Sequence, residues 1–169
     1  MNDRKRYVIV GTGGRCTMFT NAICGKYADH AALVGLCDVS PTRMAWHNDR
    51  LAREFNVEPI PTYTSDQFDR MIDERKPDTV IVTTVDAVHH EYIIRAMELG
   101  CDVISEKPMT TDAKKARAVL DAVERTGRSL RVTFNYRYQA MSTKFRELVQ
   151  TGAVGEPKLV DFQWTLDTS

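Results

Sequence analysis

Short apolar runs alternate with amphipathic stretches through most of the chain. Tyr7–Val10, Ala32–Cys37, Thr79–Thr83, Asp102–Ser105 and Leu130–Phe134 are four to six residues long. Rich in Val and Ile and apolar on both faces, they predict strands covered on two sides. "PIPTYT", residues 59–64, is a weaker pattern whose prolines suit an edge strand. Between the runs lie helical patterns. Pro41–Phe55 starts behind Ser40, an N-cap with proline in the first turn. Ser65–Arg75 spaces Phe68, Met71 and Ile72 along one face. Val88–Leu99 follows Asp86 and stops at Gly100; Thr111–Thr126 turns Val119, Leu120 and Val123 inward and stops at Gly127. Alternation of this length predicts right-handed βαβ units and an α/β fold with a doubly wound parallel sheet.

The rhythm changes after Phe134, where the chain reads as loop, helix, glycine-containing turn and alternating strand. Val160, Phe162, Trp164 and Leu166 fall on one face of that strand, and Asp161, Gln163, Thr165 and Asp167 on the other. Such alternation belongs to a half-buried strand of the antiparallel kind. A strand left at an edge is one that complete proteins usually cover. The expected organisation is a doubly wound domain over residues 1–135. Residues 136–169 would then be the first helix and strand of a truncated α+β domain.

Charge narrows the partners. Lys plus Arg and Asp plus Glu number 23 each, so the net charge is zero, which argues against a general nucleic-acid or acidic-membrane binder. No apolar run approaches the roughly 20 residues that span a bilayer. The run behind "MNDRKR" breaks at Gly11, too soon for a signal peptide, so a cytoplasmic protein is expected. Cys16, Cys24, Cys37 and Cys101 form no CxxC and no ligand-like spacing with histidine. They read as small reduced hydrophobes, and no metal site is expected.

The candidate chemistry sits at strand ends. "YVIVGTGGRC" runs from a strand through glycines into a helix, the context in which a GxGxxG-like turn has meaning. Gly11 permits the tight turn, and Gly13 lets backbone approach a pyrophosphate at the helix start. Cys16 stands where a third small residue is usual. Asp38 ends the second strand about 25 residues on, where a carboxylate accepts bonds from adenosine ribose hydroxyls and repels a 2′-phosphate. NAD is therefore favoured over NADP. Arg43 lies close enough to offset that repulsion or to lie against the adenine. "TTVDAVHHEY" brings Thr83, Thr84 and His89 to the carboxyl edge of a later strand. "SEKPM" adds Glu106, Lys107 and Pro108, and "FNYRY" adds Asn135, Arg137 and Tyr138. Three polar clusters at successive strand ends converge on one crevice. A methyltransferase also places glycines after its first strand, but its spacing is generally shorter and the later clusters do not suit it.

"VGTGGR", "CDVSPTR", "TTVDAVHHEYIIRAMELGCDVISEKPM", "NYRY" and "ELVQTGAVGEPKLV" together resemble the glucose–fructose oxidoreductase/inositol dehydrogenase (Gfo/Idh/MocA) family over essentially the whole chain. "EKP" at a fifth strand end, with a histidine-containing helix start upstream, is the specific part. The resemblance implies an N-terminal Rossmann domain and a C-terminal domain built on an open antiparallel sheet. It also implies NAD(P)-dependent oxidoreduction of sugars, inositols and related polyols, and a homo-oligomer formed through the C-terminal sheet. By the same resemblance the cofactor lies on Gly11, Thr12, Gly13, Gly14, Arg15, Asp38 and Arg43. It continues along Thr83, Thr84, Val85, His89, Glu106, Lys107 and Pro108, with Asn135 and Arg137 at the mouth. Lys107 takes the place of the family's motif lysine, in a Lys–Pro bond that is often cis, and Glu106 bonds the cofactor ribose.

The chain departs from the family pattern where Thr84-Val85-Asp86 replaces T-P-N, and where Ala140 replaces a proline. The family's acid/base histidine comes from the C-terminal domain, and no histidine follows His90. The expectation is cofactor binding with little or no turnover by this chain. Two alternatives stay open: a silent NAD-sensing scaffold pairing through its last strand, and the N-terminal part of an NAD-dependent glycosidase.

Overall fold

The computed structural model describes residues 4–163 and 165, which divide between residues 133 and 134 into two compact units. The first holds six strands: β1 (Lys5–Val10), β2 (Ala31–Asp38), β3 (Thr62–Thr64), β4 (Thr79–Val82), β5 (Asp102–Glu106) and β6 (Leu130–Thr133). All pair in parallel, in the order β3-β2-β1-β4-β5-β6. Between them run α1 (Cys16–Asn21), continued by a π-helical turn over Ala22–Lys26, then α2 (Pro41–Phe55), α3 (Phe68–Arg75), α4 (His89–Glu98) and α5 (Ala113–Thr126). Strand order reverses between β1 and β4, and the crevice beyond their carboxyl ends is where such sheets take ligands.

Each central strand feeds two cores, which is why its run is apolar throughout. Val8, Val10, Val80 and Val82 pack with Met71, Ile93, Met97 and Val119 on one side. Their chain neighbours Ile9 and Ile81 pack with Leu36, Met44 and Leu51 on the other. The pairing of β1 with β2 shifts register between Tyr7 and Val8. Close by, Gly35 leaves room for α3: a Cβ there would lie 3.1 Å from both Val8 Cγ1 and Met71 Sδ. The strand β3 is three residues long and pairs only with β2, as its flanking prolines predict. Ser40 caps α2 as the sequence predicts, whereas 3-10 turns over Ser65–Gln67 and Asp86–Val88 precede α3 and α4, and α5 starts behind Asp112, two residues past Thr111. Ser40 Oγ accepts from the Arg43 N–H ahead of Pro41, and Asp112 accepts from the Lys115 N–H at 2.9 Å.

In the second unit, α6 (Ala140–Gln150) buries none of its residues. The described part of the alternating strand expected over residues 160–167, residues 160–163 and 165, carries no strand. Trp164, Leu166 and Asp167 lie outside the described residues. A strand needs a ladder for its amides and carbonyls, and no partner strand is present among the described residues of this unit. Leu159, Val160 and Phe162 are correspondingly exposed. No helix among the described residues is long and apolar enough to cross a membrane.

Candidate nucleotide-binding site

The turn after β1 is shaped by a crossing as well as by its tightness. Gly11 has φ +91°, and a Cβ on it would meet Thr83 C and Thr84 N at 2.5 Å, both backbone atoms that cannot step aside. The end of β1 therefore runs directly against the end of β4. Thr83, buried at the end of β4, fastens the two: its N–H donates to Val10 O at 2.9 Å and its Oγ1 to Gly11 O at 2.6 Å. Gly13 and Gly14 are different, since a Cβ on either would meet nothing within 4 Å. Their backbone faces open space that an added group can occupy. Cys16 is fully buried beneath the turn. Burial pushes its thiol up to about 12, against the opposing pull of Arg50, so it is a packing residue and no thiolate.

Asp38 ties the end of β2 to this turn. Its Oδ2 accepts from the Thr12 N–H at 2.5 Å and the Thr12 hydroxyl at 2.9 Å. Its Oδ1 accepts from the Ser40 N–H at 2.8 Å and from Arg43 Nη2 at 2.5 Å. Burial alone would raise this carboxyl, but the bonds from Arg43, Thr12 and Ser40 outweigh it and hold the group below the usual carboxylate value. All four acceptor positions are filled, and among the donors only Arg43 is exposed, with half of its side chain in solvent.

Beneath Thr12, on α2, lies a residue that the sequence reading passed over. His47 is buried and places Nε2 3.1 Å from Thr12 O. Burial lowers its pKa despite that bond, so the ring is neutral and Nε2–H donates. The available signal was its place among the buried positions Met44, His47 and Leu51 of an amphipathic helix. A cavity of about 260 Å³ opens beside the turn, lined in part by Gly13, Gly14, Arg43 and Trp46.

The later strand ends complete the rim. Thr84 is half-buried and Val85 exposed. His89 is only 1% exposed, with Nε2 3.0 Å from Thr84 O and Nδ1 2.9 Å from Pro108 O. Glu106, buried at the end of β5, accepts from Thr133 Oγ1 at 2.7 Å, and its other oxygen lies 3.4 Å from Arg15 Nε. Arg15 thus reaches from the glycine turn to β5. Lys107 and Pro108 are exposed, and the bond between them is cis, as the resemblance implied. Asn135 and Arg137 belong to the second unit, where the Arg137 guanidinium lies 5.9 Å from the Tyr138 ring centre. Among the described residues no group of acidic, histidine or cysteine side chains has the arrangement of a metal site.

A parallel sheet in this strand order, a glycine turn after its first strand and an acid after its second define a dinucleotide-binding Rossmann domain. The open backbone at Gly13 and Gly14 fits a bound pyrophosphate. The chain belongs to the GFO_IDH_MocA family, described as an oxidoreductase family with NAD-binding Rossmann fold, whose model matches residues 5–134. It is 33% identical to the Bacillus subtilis (strain 168) protein YteT over 165 residues, covering 97% of this chain and 38% of that protein. It is 21% identical over 137 residues to an inositol 2-dehydrogenase/D-chiro-inositol 3-dehydrogenase of Lactiplantibacillus plantarum, covering 80% and 37%. Among solved structures, scyllo-inositol dehydrogenase from Lactobacillus casei with bound NAD(H) and scyllo-inositol shares the fold. The TM-score is 0.75 at 23% identity, over 90% of this chain and 43% of that one. The chain thus spans about two fifths of the length of these relatives.

Proposed function

We propose that this chain is the cofactor-binding part of an NAD-dependent dehydrogenase acting on a sugar, inositol or related polyol. The observation that carries this is the meeting of the open Gly13–Gly14 backbone, Asp38 and Glu106 at one carboxyl edge of the sheet, with Lys107 next in the chain. Bound NAD supplies the hydride acceptor and donor at its nicotinamide ring. The glycine turn seats the pyrophosphate from Gly11 to Arg15. Asp38 takes the adenosine ribose hydroxyls, with Arg43 giving up its place on Oδ1, and its charge disfavours a 2′-phosphate. Thr83 holds the turn in shape, and Thr84, Val85 and Pro108 border the cofactor. Glu106, whose pose is fixed by Thr133, takes the second ribose. Lys107 has no hydrogen bond or ion pair among the described residues, which leaves its ammonium free to hold a substrate hydroxyl or pass its proton. Asn135 and Arg137 line the substrate mouth of the longer protein, which associates through its C-terminal sheet.

Titration of the chain with NADH, read by cofactor fluorescence, tests this reading. Saturable binding with little turnover of inositols or sugars is expected. Absence of binding at millimolar NADH overturns it.

A further inference from the structure

The crevice is bordered by two loops that no backbone ladder joins. One follows β4 and carries Thr84, whose nitrogen is among the atoms that crowd Gly11. The other follows β5 and carries Lys107 and Pro108. His89, the first residue of α4, stands between them. It is almost completely buried, and its two ring nitrogens contact one carbonyl from each loop, Thr84 O at 3.0 Å and Pro108 O at 2.9 Å. Its helix start is itself pinned, because Lys115 Nζ donates to Ala87 O at 3.1 Å from the first turn of α5.

From this geometry we infer that His89 is a positioning residue for Lys107: a two-ended strap that sets the spacing between the glycine-turn side of the crevice and the Lys107–Pro108 turn. The inference rests on the reading that places Lys107 beside the cofactor. The Lys107 ammonium has no partner of its own among the described residues, so its aim depends on the backbone that carries it. The Pro108 carbonyl is one bond beyond the Cα of the next residue in that backbone. A contact there restrains the lysine without touching it. The other end of the ring grips Thr84, so movement of either loop is felt by both. Both carbonyls belong to loops outside α4, so the polar edge of the ring joins those two loops to each other and is not spent on its own helix.

Two side chains separate the ends of the strap. The Asn side-chain amide lies near the position of a histidine Nδ1, and the longer Gln amide reaches toward that of Nε2. Amide hydrogen exchange is compared between the unaltered chain and its His89→Leu, His89→Asn and His89→Gln forms. His89→Leu is expected to raise exchange several-fold at Thr84–Val85 and at Lys107–Thr110, because it removes both ring contacts and with them the hydrogen bond that the ring N–H makes to one of the two carbonyls. His89→Asn should restore protection at Lys107–Thr110 alone, and His89→Gln at Thr84–Val85 alone. Equal loss at both loops and through α4 in all three variants overturns the inference, for His89 is then a packing residue. A second readout is acylation of Lys107 by acetic anhydride, followed by mass spectrometry with and without NADH. NADH should shield Lys107 in the unaltered chain and shield it several-fold less in His89→Leu. If NADH binds but does not shield Lys107 in the unaltered chain, the placement of Lys107 beside the cofactor fails, while the exchange pattern still decides whether the strap exists.

Discussion

Gly11 and Asp38 show how much single residues decide here. Alanine at position 11 would force a Cβ into the Thr83–Thr84 backbone and hold a positive φ that alanine disfavours. Gly11→Ala is expected to cost on the order of 2–4 kcal/mol in denaturant unfolding and to abolish NADH binding. The Asp38 carboxyl has a lower pKa in the folded chain than in the unfolded one. Its stabilising contribution is therefore complete above the unfolded value of about 4 and disappears as pH falls through the lower folded value. Asp38→Asn should flatten the loss of stability on acidification below about pH 4, measured by urea unfolding across that range. Asp38→Ala should weaken NADH and narrow the gap to NADPH; an unchanged ratio of the two affinities removes the ribose role. Asp38 was legible from its position after the second strand. That Thr12 fills two of its four acceptor sites was not, because Thr12 is 26 residues away and contact across that distance leaves no local pattern. His47 was missed for the same reason.

Elements were more legible than contacts. The strands announce themselves because both faces are buried, and the helices because their caps and one apolar face are local. The π-helical turn after α1 carried no such signal. There Gly25 faces Phe55 across the helix pair, with a Cβ placed 2.9 Å from the ring. The strand pattern over residues 160–167 was a true alternation, yet alternation reports which face would be buried and cannot supply a ladder. Gly35 is an element-level choice that periodicity missed. Gly35→Ala would press on Val8 and Met71 together, and a loss of about 1–3 kcal/mol is expected from thermal or urea unfolding. NADH affinity of the folded fraction should be unchanged, since the clash lies within the sheet–α3 layer.

The sheet makes the first unit one cooperative object with two interiors. Cys16 lies in the core shared with α2, and Cys37 in the core shared with α3 and α4. Burial pushes both thiols up to about 12, so native chain should leave both unreactive toward a disulfide reagent at neutral pH. Because every central strand belongs to both cores, exposing one should expose the other. Slow labelling of Cys16 and Cys37 should proceed at the same rate, set by global opening; a large difference would show that one layer opens alone.

The tie between Thr12 and Asp38 bears on kinetics. An N–H and a hydroxyl of the glycine turn are already engaged by the end of β2, so the turn is ordered during folding and not on encounter with a ligand. A preorganised seat of this kind removes much of the ordering entropy from association. Substitutions around it should then leave the association rate of a nucleotide nearly constant and act mainly by shortening its residence time.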